Sequence, residues 1–323
     1  MLTLPDFREK QILFIQAENG LENNIKFNND NVVYSKDGKI INKMSCHKVF
    51  AIFIIGDLTI SSVLIRNALQ YGVSIFLLKK NLEVYATIGA KAEGNYLLRI
   101  KQYNLQNELF LSKQITKNKI SNQLILLKNN KKISNEDYKI SKKDLFNKID
   151  NAKDNNQLLG IEGSFAKNFF NLYFKELEWY RRMPRAKVDI YNVLMDMGYT
   201  FIFNYVDSLL RIYGFDTYKG FYHQLFFQRK SLTCDLVEPF RCIIDKQLLK
   251  SYNLKQINKK DFKYANGRYF LKYSESREYA KIFLEAIMKN KEEIFCYTRD
   301  FYRFILNDKN DQKDFPIFKI NVC

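Results

Sequence analysis

The sequence has no C-x-x-C pair. Its five cysteines (Cys46, Cys234, Cys242, Cys296 and Cys323) are scattered, and an odd, dispersed set offers neither a disulfide framework nor a zinc knuckle. They read as core or incidental thiols in a reducing compartment. No window reaches the ~18 uninterrupted apolar residues of a membrane span. Residues 1–20 carry Asp6, Arg8, Glu9, Lys10 and Glu18 where a secretory signal needs an apolar core, so a soluble, intracellular protein is expected. Acidic residues are the scarce charge: 35 Asp and Glu face 52 Lys and Arg, a formal net charge of +17. That excess favours a polyanionic partner, nucleic acid or an acidic membrane surface, over the blander reading of solubility charge. Histidine is nearly absent, with only His47 and His223, and no internal repeat or long flexible linker is visible.

Material for a core is ample. Apolar residues make up 46% of the chain and aromatic residues 15%, which describes a globular protein and not a disordered one. At 323 residues the chain exceeds the length at which single cores usually stop growing, so two domains are expected. Asn, Lys and Ile are abundant in every region and carry no functional weight.

Short apolar runs at 12–15, 31–34, 49–55, 73–78 and 82–85, rich in Ile, Val, Phe and Tyr and bounded by turn residues, predict strands. Residues 61–71 interrupt them with Val63, Leu64, Ala68 and Leu69 at helical spacing, Ser61 or Ser62 as N-cap and Gly72 just past the end. After Gly89 the texture changes. Residues 90–111 and 115–127 place apolar residues three and four apart, and 157–179, 188–213, 231–251 and 275–306 read as further helices of about 20 to 30 residues. The expected fold class is α+β: a β-rich N-terminal domain over 1–88 with one inserted helix, followed by a larger all-α domain over 89–323 that carries the chemistry. Within it, residues 112–148 hold ten lysines against Glu136, Asp137 and Asp144. That run is either a surface for a DNA backbone or a solvated helix face.

Two stretches carry candidate chemistry. In LLGIEGSFAKNFFNLYF, Glu162 shares a helical face with Leu158, Ala166, Phe169 and Tyr173. An acid on an apolar face must be paired, protonated or bound to a cation. It is either a core residue hydrogen-bonded to a tyrosine or arginine, or a ligand. Gly163 beside it suggests close approach of another group, since Gly inside a helix costs roughly 1 kcal/mol. In GFDTYKGFYHQLFFQRKSLTCDLVEPFR, His223 sits among Phe221, Tyr222, Phe226 and Phe227, where a histidine is usually a satisfied core residue. Asp235 and Glu238 follow, three apart and on one face if the stretch is helical. Pro239 biases Glu238 towards a helix-entry position. Two carboxylates and an imidazole converging on one point would suit Mg²⁺ or Mn²⁺ better than zinc. Between these stretches, Arg181, Arg182, Arg185 and Lys187 are interleaved with Trp179 and Tyr180. They form either a site for a DNA end or an exposed corner turning at Pro184. His47, in the β region, reads as structural.

Five segments, GDLTISSVLIRNALQYGVSIFLL, LLGIEG, RMPRAKVDIYNVLMDMGY, GFDTYKGFYH and SLTCDLVEPFR, together resemble the CRISPR-associated protein one family, the endonuclease and integrase of spacer acquisition. The resemblance runs in the family's order from Gly56 to Arg241. It implies that Glu162, His223 and Glu238 are catalytic metal ligands for Mg²⁺ or Mn²⁺, with Asp235 an accessory acid. Asn192 and Tyr199 fall on the family's N-x-L-x-x-x-G-Y positions, where support of the site and DNA contact are expected. Cys234 stands where an aliphatic residue is expected and Thr217 where the family often has proline. The lysine-rich segment and the tail after about Asp308 match no motif.

The implied reaction is transesterification. Each 3′-hydroxyl of a short duplex (a prespacer) attacks a backbone phosphate at one boundary of the CRISPR repeat, with no covalent enzyme intermediate. His223 ligates only when neutral, so activity is expected to fall at acid pH. The implied partners are double-stranded DNA, a second copy of the chain as a homodimer, and the second CRISPR-associated adaptation protein, in the cytoplasm of a prokaryote. The competing readings are a structure-specific nuclease that hydrolyses branched DNA with the same three ligands, and an inert DNA-binding scaffold in which Glu162 and His223 are buried and satisfied.

Overall fold

The computed structural model describes residues 3–17, 20–79, 84–89, 95–223, 225–307 and 315–321. A short helix α1 (Leu4–Arg8) precedes strands β1 (Gln11–Gln16), β2 (Asn23–Asn28), β3 (Asn31–Lys36), β4 (Lys39–Ser45), β5 (Val49–Ile55), β6 (Ser74–Leu78) and β7 (Val84–Ile88), with α2 (Ser62–Gln70) between β5 and β6. Then come α3 (Tyr96–Tyr103), α4 (Glu108–Asn129), α5 (Asn135–Asn151), α6 (Asn155–Tyr173), α7 (Ile190–Tyr213), α8 (Ser231–Val237) and α9 (Arg241–Asn253). The hairpin β8 (Phe262–Ala265) and β9 (Arg268–Leu271) leads to α10 (Ser276–Lys289) and α11 (Lys291–Leu306). The β-rich region followed by a helical one is the predicted class. The hairpin β8–β9 is an addition to the expected all-α part. The run predicted at 82–85 starts outside the described residues and continues into β7, and the helix predicted from residue 90 is described from Tyr96 onward.

Strand β5 is buried along its whole length. It pairs in parallel with β1 (Phe14 opposite Phe53) and with β6 (Ile54 opposite Leu77), and antiparallel β7 closes the order β1-β5-β6-β7. A β-strand sends successive side chains to opposite faces, and β5 uses both. Val49, Ile52 and Ile54 join Leu13, Ile15, Val32, Tyr34 and Leu64 in a core between this sheet and the antiparallel meander β2-β3-β4. Phe50, Ala51, Phe53 and Ile55 enter the core of the helical region, where Phe53 meets Phe201 of α7 edge to face at 5.5 Å and Phe50 meets Tyr205 at 5.2 Å. Ser61 caps α2 by accepting from the Leu64 amide at 3.1 Å. Strands β2 and β4 escaped prediction because Ile25 is the buried residue of β2 and β4 has none.

Three predicted helices are interrupted, the first at residues 104–107 between α3 and α4. Pro239 has no amide hydrogen and a fixed φ, so a 3₁₀ turn over Glu238–Phe240 separates α8 from α9, and Asn290 separates α10 from α11. Helix α7 is apolar nearly all round and lies in the centre, capped by Asp189 and ended by Gly214 at φ 92°. The segment 315–321 lies along α4. There the Asn118 amide donates to the Phe318 carbonyl (2.6 Å) and accepts from its N–H (2.9 Å), while Asn122 accepts from the Ile320 N–H (3.0 Å) and donates to the Pro239 carbonyl (3.2 Å).

A β-carbon on Gly198 of α7 would stand 2.5 Å from Ile244 Cγ2 of α9 and 3.0 Å from Phe283 of α10, whereas one on Gly163 of α6 would meet nothing within 4 Å. Gly198→Ala is therefore expected to lower stability by about 1–3 kcal/mol through overpacking, and Gly163→Ala to raise it by up to about 1 kcal/mol through helix propensity. Urea denaturation of the two variants side by side checks both signs.

Candidate active site

Gly220 lets the loop after α7 approach the start of α8: a β-carbon there would stand 2.6 Å from Asp235 Oδ2 and 2.7 Å from the Ser231 carbonyl carbon. The three following amides, those of Phe221, Tyr222 and His223, donate to the Asp235 carboxylate at 2.8, 3.1 and 2.9 Å. Asp235 is fully buried and also lies 2.7 Å from His223 Nδ1. A carboxylate at Nδ1 favours the proton on that nitrogen and leaves Nε2 with its lone pair. The accessory acid is thus the group that seats the loop and orients the imidazole.

Glu162 projects from α6 with its side chain 15% exposed. One carboxylate oxygen accepts from the Tyr222 hydroxyl and the other from Lys119 Nζ of α4. Glu238, at the start of the 3₁₀ turn, is buried; its Oε2 lies 2.6 Å from the same Lys119 Nζ and its Oε1 accepts from Arg241 Nε at 2.9 Å. The Oε2 contact is an ion pair without hydrogen-bond geometry, and that buried oxygen has no hydrogen-bond partner among the described residues. Burial pushes the Glu238 carboxyl up, but the charges of Arg241 and Lys119 beside it outweigh that and bring it down to about 2. Burial alone would likewise lower Lys119, and the two carboxylates raise it instead. Lys119, which joins these two acids, is the residue of the cluster that sequence reasoning missed: one lysine in a run of ten looks solvated.

Among the described residues no group of three or more His, Cys, Asp or Glu side chains stands ready to hold a metal ion. The donor chemistry nevertheless fits Mg²⁺ or Mn²⁺: two carboxylates, an imidazole nitrogen steered by a buried acid, and one buried carboxylate oxygen without a hydrogen bond. An ammonium occupies the position between the two carboxylates.

The basic candidates divide. Arg182 is bound by Asp196 (2.6 Å) and Asn192 Oδ1 (2.8 Å) and lies over the Tyr199 ring at 5.3 Å. Arg181 and Arg185 are exposed, with Arg181 over the Tyr180 ring at 5.2 Å. Lys187 is half-buried over Phe270. Asn192 is fully buried, donating to Asp189 (2.6 Å) and the Arg181 carbonyl (3.0 Å) and accepting from the Met183 N–H (2.8 Å). Tyr199 is buried between Arg182 and Arg241 and donates to Asp245. Both side chains are engaged by protein groups, and through them they brace the arginine-bearing segment, the supporting part of what was expected of these positions.

The close approach expected at Gly163 is corrected, since the space above it is open. In the lysine-rich stretch, Lys117 pairs with Asp150, Lys132 with Glu176 and Lys148 with Asp144, as in a helical hairpin with a solvated face. Exposed His47 packs edge-on against Tyr71.

A β-rich unit feeds a helical body, and in that body two acids from different elements meet at one buried ammonium. The profile of the family described as "CRISPR associated protein Cas1" matches residues 19–285, and the chain belongs to the Cas1 family. It is 24% identical over 302 residues to the CRISPR-associated endonuclease Cas1 1 of Thermodesulfovibrio yellowstonii, covering 88% of this chain and 95% of that one. With the CRISPR-associated endonuclease Cas1 3 of Thermus thermophilus it shares 29% identity, over 67% of each chain. The fold is that of a Cas1 protein from Thermotoga maritima (TM-score 0.79, 18% identity, 97% and 99% of the two chains) and of a casposase bound to integration product (TM-score 0.78, 19% identity, 96% of each). No helix among the described residues is long and apolar enough to cross a membrane.

Asp235→Ala would leave three buried amides and the His223 ring without their acceptor, and is expected to destabilise by about 3 kcal/mol or more, read by thermal or urea unfolding. A second expectation concerns Asp245, which burial raises to about 7 against the lowering hydrogen bond from Tyr199. A carboxyl raised in the folded state contributes stability that is lost as pH climbs through that value. Glu238, held near 2, stays ionised throughout that range. Between pH 5 and pH 8 the melting temperature of the native chain should therefore fall relative to that of Asp245→Asn, and parallel curves would contradict this assignment.

Proposed function

We propose that the chain is the integrase of CRISPR adaptation, joining the 3′-hydroxyl ends of short duplex DNA to the boundaries of a CRISPR repeat. The observation that carries this reading is the junction of Glu162 and Glu238 on one cation beside a His223 already oriented by Asp235. Its support is family membership and a fold like that of a casposase bound to its integration product. Glu162, Glu238 and His223 Nε2 are the residues that would hold Mg²⁺ or Mn²⁺. The chemistry supplied by such an ion is polarisation of the phosphoryl oxygen and stabilisation of the leaving oxygen.

The chain's own residues do the rest. Asp235 fixes the ring of His223, the Tyr222 hydroxyl aims Glu162, and Arg241 holds Glu238 ionised. Exposed Arg181 and Arg185, within an overall charge of +17, would bind phosphates, positioned by Arg182, Asn192 and Tyr199.

Because two DNA ends are joined at two sites, the working unit we propose is a homodimer with the second CRISPR-associated adaptation protein, acting in the prokaryotic cytoplasm. A similar fold occurs in a solved Cas6-RT-Cas1–Cas2 complex. Residues 1–88 would form the dimerisation and partner domain, and 89–323 the catalytic one. The second reading, a nuclease of branched DNA, draws on the name endonuclease borne by the relatives and needs only water in place of the 3′-hydroxyl.

Incubation with a short duplex and a supercoiled plasmid bearing a CRISPR repeat, with and without the partner protein, separates the two. Joined products that require Mn²⁺, vanish in EDTA and drop at least about a hundredfold in His223→Ala are expected. Nicks without joining would establish the nuclease, and tight binding without reaction an inert scaffold. Binding should weaken steeply from roughly 50 to 200 mM salt.

A further inference from the structure

The Lys119 ammonium is held by two acids at once and is itself nearly buried, its side chain 10% exposed. Its Nζ donates to Glu162 and lies 2.6 Å from Glu238 Oε2, and those are the two carboxylates read above as metal ligands. With Arg241 on the other oxygen of Glu238, two anions and two cations form a neutral set whose side chains are 4–29% exposed. Adding a divalent ion to that set without losing a charge would leave an uncompensated excess in the interior, which is costly. Removing the ammonium without replacement would leave two carboxylates facing one another, which is also costly. The lysine's flexible four-carbon stem allows its head to swing away while its backbone stays in α4.

We propose that Lys119 is the chain's resident cation for the Glu162–Glu238 pair, holding the two carboxylates together before a divalent ion binds and giving way when it does. Metal loading is then an exchange of cations at a site already gathered, and affinity for the ion is set by competition with a residue on α4. This rests on the reading of Glu162 and Glu238 as ligands.

The test uses the full chain without DNA. Mn²⁺ binding is followed by the free-ion electron paramagnetic resonance signal for the native chain, Lys119→Met and Lys119→Arg. Lys119→Met is expected to bind Mn²⁺ at least about tenfold more tightly, because its competitor is gone, and Lys119→Arg no more tightly than the native chain. In EDTA the Met variant should melt below the native chain, and Mn²⁺ should raise its melting temperature by more. Equal or weaker binding by Lys119→Met overturns the exchange. If that variant does not fold, amine acylation of the native chain read by mass spectrometry replaces it. Labelling at Lys119 should rise several-fold when Mn²⁺ replaces EDTA, and unchanged labelling with Mn²⁺ bound overturns the proposal. Absence of Mn²⁺ binding by the native chain and by Lys119→Met overturns instead the ligand reading beneath it.

Discussion

A buried carboxylate needs a counter-charge, a set of hydrogen-bond donors or a proton, and in this chain two of them meet at one ammonium. Lys119 comes from α4, Glu162 from α6, Glu238 from the turn after α8, and Arg241 from the first position of α9. Losing one partner of such a set leaves an uncompensated charge in the interior, at a cost of about 3–5 kcal/mol, so the four elements are placed together or not at all. Helix α4 reinforces the arrangement from the same side. Asn118 and Asn122, on either side of Lys119 along the helix, seat the segment 315–321 and reach the carbonyl of Pro239, next to Glu238. The electrostatic centre and the packing of the tail are therefore carried by one helix, although the tail itself offered no motif to read.

The β-rich unit touches this centre through α7. Phe201 packs on Phe53 of β5 and Phe14 of β1, while Tyr199 lies between Arg182 and Arg241. Two positions apart on an α-helix is about 200° of rotation, so one helix turns an aromatic residue to the sheet and another to the cations of the site. Gly198, the residue before Tyr199, leaves room for Ile244 of α9 and Phe283 of α10 to pack directly on the α7 backbone.

The sequence was legible where pattern and burial coincide. The continuous apolar run of β5, the length of α7 and the β-then-α order followed from apolar patterning, and the ends of α2 from Ser61 and Gly72. Strands β2 and β4 did not, because a strand with one buried residue or none has no hydrophobic alternation to display. Glu162, Asp235, His223 and Glu238 stood out as polar residues in apolar surroundings. What could not be seen was the partner: Lys119 is indistinguishable in sequence from Lys117 two positions earlier, which pairs with exposed Asp150. Only the packing of α4 against α6 decides which of the two faces inward. Asn192 was singled out only by the resemblance, because nothing in its spacing announces that its amide closes the helix start at Asp189.

Asp235 and Glu238 show why spacing identified a motif but not its division of labour. Three residues apart, they leave the chain on nearly the same side, but the 3₁₀ turn imposed by Pro239 begins between them and α4 and the 221–223 loop lie to either side. Asp235 is spent on three amides and a ring nitrogen and has no capacity left for a cation. Glu238 is held instead by two side-chain cations, Arg241 on Oε1 and Lys119 on Oε2. Amides fixed in the backbone cannot leave Asp235, whereas the ammonium that faces Glu238 sits on a flexible stem. Spacing puts the two acids on one stretch of chain, and their partners, backbone for one and side-chain cations for the other, separate what each holds in place.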